Sequence, residues 1–176
     1  MSVLEVLQSC PEQRHTLLFA LGFQDTTSSN AISFSTQGKP RLPPHVPIQI
    51  HVIYKGVNIQ RIVMDEGAST CVMSLSYWKG LGSPEIVPSL SMLKAFDGYV
   101  FKPHGIVPSF PIMLGAKTVT VEVEVVDAPI DYNLLLGRIW TYAMEAVPSS
   151  YFRCIKFPHE SKLVTIDQLS FYNASN

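Results

Sequence analysis

The chain has 176 residues, 47% of them apolar, with 13 basic and 14 acidic side chains giving a formal net charge of −1. That composition supports one hydrophobic core in a chain too short for two large domains, and the scattered charges offer no positive face for nucleic acid or an anionic membrane. The longest apolar run, Leu17 to Phe23, falls far short of the roughly 20 residues that cross a bilayer, and no basic N-terminal region precedes a long apolar stretch, so the expectation is a soluble, non-secreted protein.

In chain order, Ser9-Cys10-Pro11-Glu12 has the form of a capping box, and Leu17, Leu18 and Leu21 follow at helical spacing before Gly22, which predicts a helical extension over residues 1–23. Residues 24–46 are rich in Thr, Ser, Asn, Gly and Pro and read as a flexible linker, with a short strand expected near Ile32 to Phe34. After Pro47 the period changes. Ile48 to Tyr54 alternates, Lys55-Gly56 turns, and Val57 to Met64 returns as the second arm of a hairpin that ends at Asp65.

Cys71 to Ser74 reads as a short strand and Leu75 to Leu81 as a short helix closed by Gly82. Leu93 to Phe96 and Tyr99 to Phe101 flank Asp97-Gly98, a strong hairpin signal. Phe110 to Leu114, a Gly115-Ala116-Lys117 turn and Thr118 to Val126 form another hairpin, whose second arm alternates Val with Thr and Glu as a half-exposed strand does. Leu134 to Leu136 is an apolar strand, Ile139 to Met144 a short helix, and Tyr151 to Phe157 with Leu163 to Ile166 a last hairpin across Pro158-His159-Glu160-Ser161. Many short strands at even spacing predict a mostly β closed barrel or sandwich over residues 47–170, with 171–176 as a tail.

Cys10, Cys71 and Cys154 are odd in number and widely spaced, and the five histidines show no ligand spacing, so neither a disulfide framework, a metal site nor a cofactor is expected. The chemistry-bearing segment is Ile62-Val63-Met64-Asp65-Glu66-Gly67-Ala68-Ser69. An apolar strand delivers a carboxylate at its end, and the small pair Gly67-Ala68 lets backbone amides and a second copy of the loop come close. Taken alone, the same pattern also describes an acid hydrogen-bonding its own turn.

Further motifs stand around this loop in a fixed order: Leu93-Lys94-Ala95-Phe96-Asp97-Gly98, Val125-Val126-Asp127-Ala128-Pro129, Tyr132-Asn133-Leu134-Leu135-Leu136-Gly137-Arg138 and Ala143-Met144-Glu145-Ala146-Val147-Pro148-Ser149. Together with the Asp65 loop they resemble the retropepsin-type aspartic protease of gypsy-class LTR retrotransposons, especially the plant elements, over about two-thirds of the chain. The resemblance implies a closed acid-protease barrel in which the Asp65 strand and the Leu134 to Leu136 strand cross beneath the active loop. It also implies a catalytic Asp65 in an active loop with Glu66, Gly67, Ala68 and Ser69, a flap tip at Phe96, Asp97, Gly98 and Tyr99, and a structural signature at Leu135, Leu136, Gly137 and Arg138. Ala68, Phe96, Tyr99, Val100 and Leu135 become candidate subsite residues.

Peptide hydrolysis by this chemistry needs two carboxylates ~3 Å apart sharing one proton. The chain has one such loop, since Asp97-Gly98-Tyr99, Asp127-Ala128-Pro129 and Asp131-Tyr132-Asn133 do not repeat it, so the implied unit is a homodimer acting on a peptide or polyprotein substrate. The implied setting is cytoplasmic, including virus-like particles, without direct nucleic-acid or membrane binding. Where the family carries Thr or Ser after the aspartate, this chain has Glu66. Two ionised copies near the axis repel, so the expectation is that Glu66 is protonated, paired with Arg138 or Arg61, or turned to solvent, weakening the dimer or restricting proteolysis to acid. The alternative function is a retropepsin-fold dimerisation or peptide-binding module with little or no turnover. No zinc knuckle, reverse-transcriptase or integrase signature accompanies it.

Overall fold

A computed structural model of the chain describes residues 16, 32–34, 42–95 and 98–169. The chain divides into two compact units, Met1–Phe34 and Ser35–Asn176. In the first, Thr16 is helical and Ile32 to Phe34 are coil, so the strand expected there does not form; the rest of the expected N-terminal helix and linker, up to residue 41, lies outside the described residues, as does the tail from residue 170. Ile32 to Phe34 contains one β-branched residue between Ala31 and Ser35, too short a run to form a ladder without a partner.

The second unit is built on a closed six-stranded barrel in the order β1 (Ile48–Tyr54), β2 (Val57–Met64), β8 (Leu134–Leu136), β3 (Cys71–Ser74), β7 (Lys117–Val126), β6 (Gly105–Leu114). Closure follows from β1 pairing with β2 on one side and with β6 on the other, which leaves the barrel no free edge. A two-stranded sheet of β4 (Leu93–Lys94) and β5 (Val100–Phe101) and a three-stranded sheet of β9 (Val147–Ser149), β10 (Cys154–His159) and β11 (Lys162–Asp167) complete the β structure. Two short helices, α1 (Leu75–Gly80) and α2 (Arg138–Met144), follow β3 and β8.

The apolar positions of the alternation face the core, while Gln49 in β1 and Glu124 in β7, on the other face, are buried as well. Ile50, Val52, Ile59, Ile62, Ile112, Val123, Val125, Leu134 and Leu136 are fully buried, and Trp140 and Met144 of α2 close the core. Tyr54 and Phe110 stack inside it with ring centroids 4.1 Å apart. β6 starts at Gly105, five residues earlier than its apolar pattern suggests, because a bulge between Val107 and Phe110 shifts the register and Pro108 interrupts the period-2 signal there. The last hairpin turns on Glu160 and Ser161 alone, both left-handed at φ 48 and 60, so its first strand runs two residues and its second one residue closer to the turn than the sequence suggests, while the first begins at Cys154 instead of Tyr151.

One irregularity positions the site. Ile50 pairs with Ile62 and Val52 with Ile59, so β2 carries an extra residue opposite β1, with Arg61 left-handed at φ 55. The bulge turns the carbonyls of Gln60 and Arg61 towards Asn133, whose side-chain and backbone N–H groups donate to them at 2.9 Å each. Arg61 in turn donates to the Asp131 carbonyl. These bonds pin the segment entering β8 to β2, and set the register in which the two strands run together to the Asp65 loop.

Candidate active site

β2 and β8 run parallel, with Ile62 opposite Leu134, Val63 opposite Leu135 and Met64 opposite Leu136. β3 lies on the far side of β8 and antiparallel to it, with Val72 opposite Leu135 and Met73 opposite Leu134. The chain therefore leaves β2 at Met64, arches over the end of β8, and descends into β3. Residues 65–70 are that arch. The two strands expected to cross beneath the loop lie side by side as a parallel pair, and the arch spans the end of one of them.

Backbone bonds hold the arch from below. The Asp65 N–H donates to Leu136 O at 3.0 Å, the Ala68 N–H to Asp65 O at 3.1 Å, and the Arg138 N–H to Ala68 O at 2.9 Å. Gly137 passes under it. A Cβ there would lie 2.1 Å from Thr70 O and 2.8 Å from Ala68 O, so the arch and the strand end fit only because residue 137 has no side chain. The apolar-apolar-Gly-Arg signature thus has a steric reason and a hydrogen-bonding one.

The Asp65 side chain is exposed; its Oδ1 accepts the Gly67 N–H at 2.8 Å, and its other oxygen takes no hydrogen bond among the described residues. One oxygen is anchored and the other is unengaged by the described residues. A Cβ on Gly67 would stand 3.0 Å from Oδ1, tight enough to disturb that anchor. Gly67 and Ser69 are exposed and Ala68 is half-buried. Tyr132, just before the Asn133 brace, has its phenol pushed above its ordinary value, first by burial and then by the negative charge of Asp65.

Glu66 is exposed, which satisfies one of the three expectations, but it pairs with neither Arg61 nor Arg138. Its Oε1 instead accepts the hydroxyl hydrogen of Thr141 on α2. Thr141 is 4% exposed, and its hydroxyl also lies within reach of Gly137 O at 3.2 Å and Arg138 O at 3.4 Å. Sequence reading missed Thr141; the available signal was a lone hydroxyl on the buried face of a helix, between Trp140 and Met144. Glu66, Arg138 and Thr141 line an open cavity of about 750 Å³ on the outer side of the arch, and Glu66 lines a second one of about 360 Å³ with Asp65, Gly67 and Arg153.

The remaining expected site residues are distributed as follows. Leu135 and Leu136 are buried in β8, so Leu135 is packed strand, and Gly137 and Arg138 open α2. Gly98 and Tyr99 lie in the β4–β5 hairpin, where Ala95 N–H donates to Tyr99 O at 2.8 Å and Gly98 N–H to Ala95 O at 2.9 Å, with Gly98 at φ 89. Phe96 and Asp97 lie outside the described residues. Tyr99 and Val100 are 67% and 47% exposed, and the Tyr99 ring stacks on Phe101 with centroids 6.1 Å apart. Among the described residues no group of His, Cys, Asp and Glu has metal-binding geometry. No helix among them is long and apolar enough to cross a membrane.

The barrel with its arch has counterparts among solved structures. The retroviral protease-like domain of Ddi1 from Leishmania major aligns with a TM-score of 0.53 at 12% identity, over 70% of this chain and 93% of that domain. The chain has a retropepsin-like fold. The protease of EIAV, solved with the inhibitor HBY-793, aligns at a TM-score of 0.48 and 14% identity over 67% of this chain and 99% of that protein. No family model matches the chain, and no curated protein matches it.

Proposed function

We propose that the chain is an aspartic endopeptidase of a retrotransposon polyprotein, with a catalytic dyad formed by Asp65 of two copies across a two-fold axis. The observation that carries this reading is the arch. It presents one carboxylate at a parallel strand end, with Oδ1 held by the Gly67 N–H at 2.8 Å and the second oxygen unengaged. Two such arches meeting at the axis give two acids that share a proton: one activates a water on the scissile carbonyl and the other protonates the carbonyl oxygen and then the leaving nitrogen. The β4–β5 hairpin, with Tyr99 and Val100 outward, supplies the apolar cover and backbone donors for an extended peptide. The proposed setting is cytoplasmic.

The test compares wild type, Asp65→Asn and Glu66→Thr on a mixed peptide library from acid to neutral pH. Cleavage by wild type and none by Asp65→Asn supports the reading; equal rates in all three overturn it. A second reading, a dimerisation or peptide-binding module without turnover, is favoured by Glu66, whose carboxylate is committed to Thr141 of the same chain. Peptide binding that survives in Asp65→Asn, with no cleavage by wild type, selects it.

A further inference from the structure

Arg153 is the last residue before β10. Its backbone is fixed on both sides, the N–H donating to Ser149 O at 2.8 Å and the carbonyl accepting the Gln168 N–H at 3.0 Å, in a left-handed conformation at φ 57. The residue is buried, at 6% exposure. Its Nη2 donates to Val46 O at 2.8 Å and Pro47 O at 3.4 Å, while Nε has no partner among the described residues, and no carboxylate pairs with it there. Burial with no anion lowers the guanidinium below its ordinary value.

A buried cation facing only carbonyl oxygens is half-compensated. The cavity it lines, about 360 Å³, is lined also by the Asp65-Glu66-Gly67 segment. Glu66 is exposed: Oε1 holds the Thr141 hydroxyl, and Oε2, with no partner among the described residues, faces solvent and is open to a donor. The two opposite charges line one cavity, and within a single chain they do not pair. Because the Asp65-Glu66-Gly67 segment itself lines this cavity, a second arch meeting it at an axis would bring the partner's Glu66 towards the same cavity.

We propose that Arg153 of each protomer pairs with Glu66 of the partner subunit across the two-fold axis, so that the residue replacing the family's hydroxyl cross-links the dimer as one of two symmetric ion pairs. This rests on the dimeric reading above. It reverses the sequence-based expectation for Glu66: a carboxylate that would repel its twin instead meets a buried guanidinium on the other chain.

The test is a charge-reversal mixing experiment on the full chain, read by sedimentation equilibrium at neutral pH and low salt. Glu66→Arg and Arg153→Glu each weaken self-association by about 100-fold, as expected for breaking close charge pairs. An equimolar mixture of the two recovers near-wild-type affinity, because only the heterodimer restores both pairs. A wild-type dimer whose variants are not rescued by mixing overturns the proposal and leaves the dimer standing; pairing within one chain, or a water bridging Nε to the buried Gln168 Oε1, gives that result. A wild type that stays monomeric removes the dimeric reading as well. Because Arg153→Glu also disturbs the Val46 anchor, Glu66→Gln serves as the second variant: it sits on the surface and keeps an acceptor for Thr141. It weakens the dimer and flattens its salt dependence; wild-type affinity for Glu66→Gln overturns the proposal.

Discussion

Replacing Gly137 with alanine puts one methyl group where the structure has no room for it. The added carbon lies 2.1 Å from Thr70 O and 2.8 Å from Ala68 O, against a comfortable carbon–oxygen approach of about 3.3 Å. Both obstacles are backbone atoms of the arch, so the clash is relieved only by lifting the arch off β8, which breaks the Arg138 N–H to Ala68 O bond and strains the Asp65 N–H to Leu136 O bond. Overpacking at the upper end of its usual range plus one lost hydrogen bond comes to about 4 kcal/mol. Urea unfolding followed by the fluorescence of the buried Trp140 should show the midpoint falling by about 2 M for a slope near 2 kcal/mol/M. Gly80→Ala is the control, since nothing lies within 4 Å of its added carbon, and it should be neutral to slightly stabilising. A Gly137→Ala midpoint within about 0.3 M of wild type would refute the packing of arch on strand.

Thr141→Val removes the hydroxyl that holds Glu66 at nearly constant volume and should cost about 1 kcal/mol, with Thr141→Ser restoring most of it in the same unfolding assay. Glu124 is 5% exposed with Oε2 unpartnered; burial raises its pKa above 4.5, the Ser89 hydroxyl at 3.4 Å partly offsets this, and Glu122 adds to it. A folded value raised above the unfolded one means the native state holds the extra proton, so this group's contribution is fully present below about pH 4.5 and is lost as pH rises through the raised value. Glu124→Gln should flatten that fall in a pH series of urea midpoints, and an unchanged pH profile would count against it. Burial pushes the Cys71 thiol up to about 11, with the Gly137 and Trp140 backbone N–H groups only partly opposing, and Cys154 is 4% exposed. In a Cys10→Ser background, neither should be alkylated by iodoacetamide at pH 8 until urea is added.

The strands that alternate cleanly were legible because the barrel buries one face of each: β1 and β2 occupy the predicted residues, and the Val119 to Val125 alternation is β7. β9 was not, since three residues with a proline carry no period, and its strand character comes from pairing Val147 to Ser149 with Lys156 to Cys154. The Asp65 arch and Gly137 were visible as a pattern, while the reason for the glycine, contact with Thr70 O, joins residues 67 apart in sequence and has no local signal. Thr141 and Arg153 were illegible for the same reason. Each looks like an ordinary helix or turn residue until the fold sets it beside Glu66 or in the wall of Glu66's cavity.

The substitution at position 66 reads differently once Thr141 is taken with it. The loop carries an acceptor at Glu66, and its donor stands on α2, four residues after the glycine that passes under the arch. This lateral tie on the loop has both ends in one chain. A tie within one chain fixes the arch without a second copy, and leaves the second carboxylate oxygen at the surface, open to a cation. In the proposed dimer that oxygen is the one offered across the axis. Arg153, buried and lacking an anion, is the group in this fold whose electrostatic need is the complement of that one.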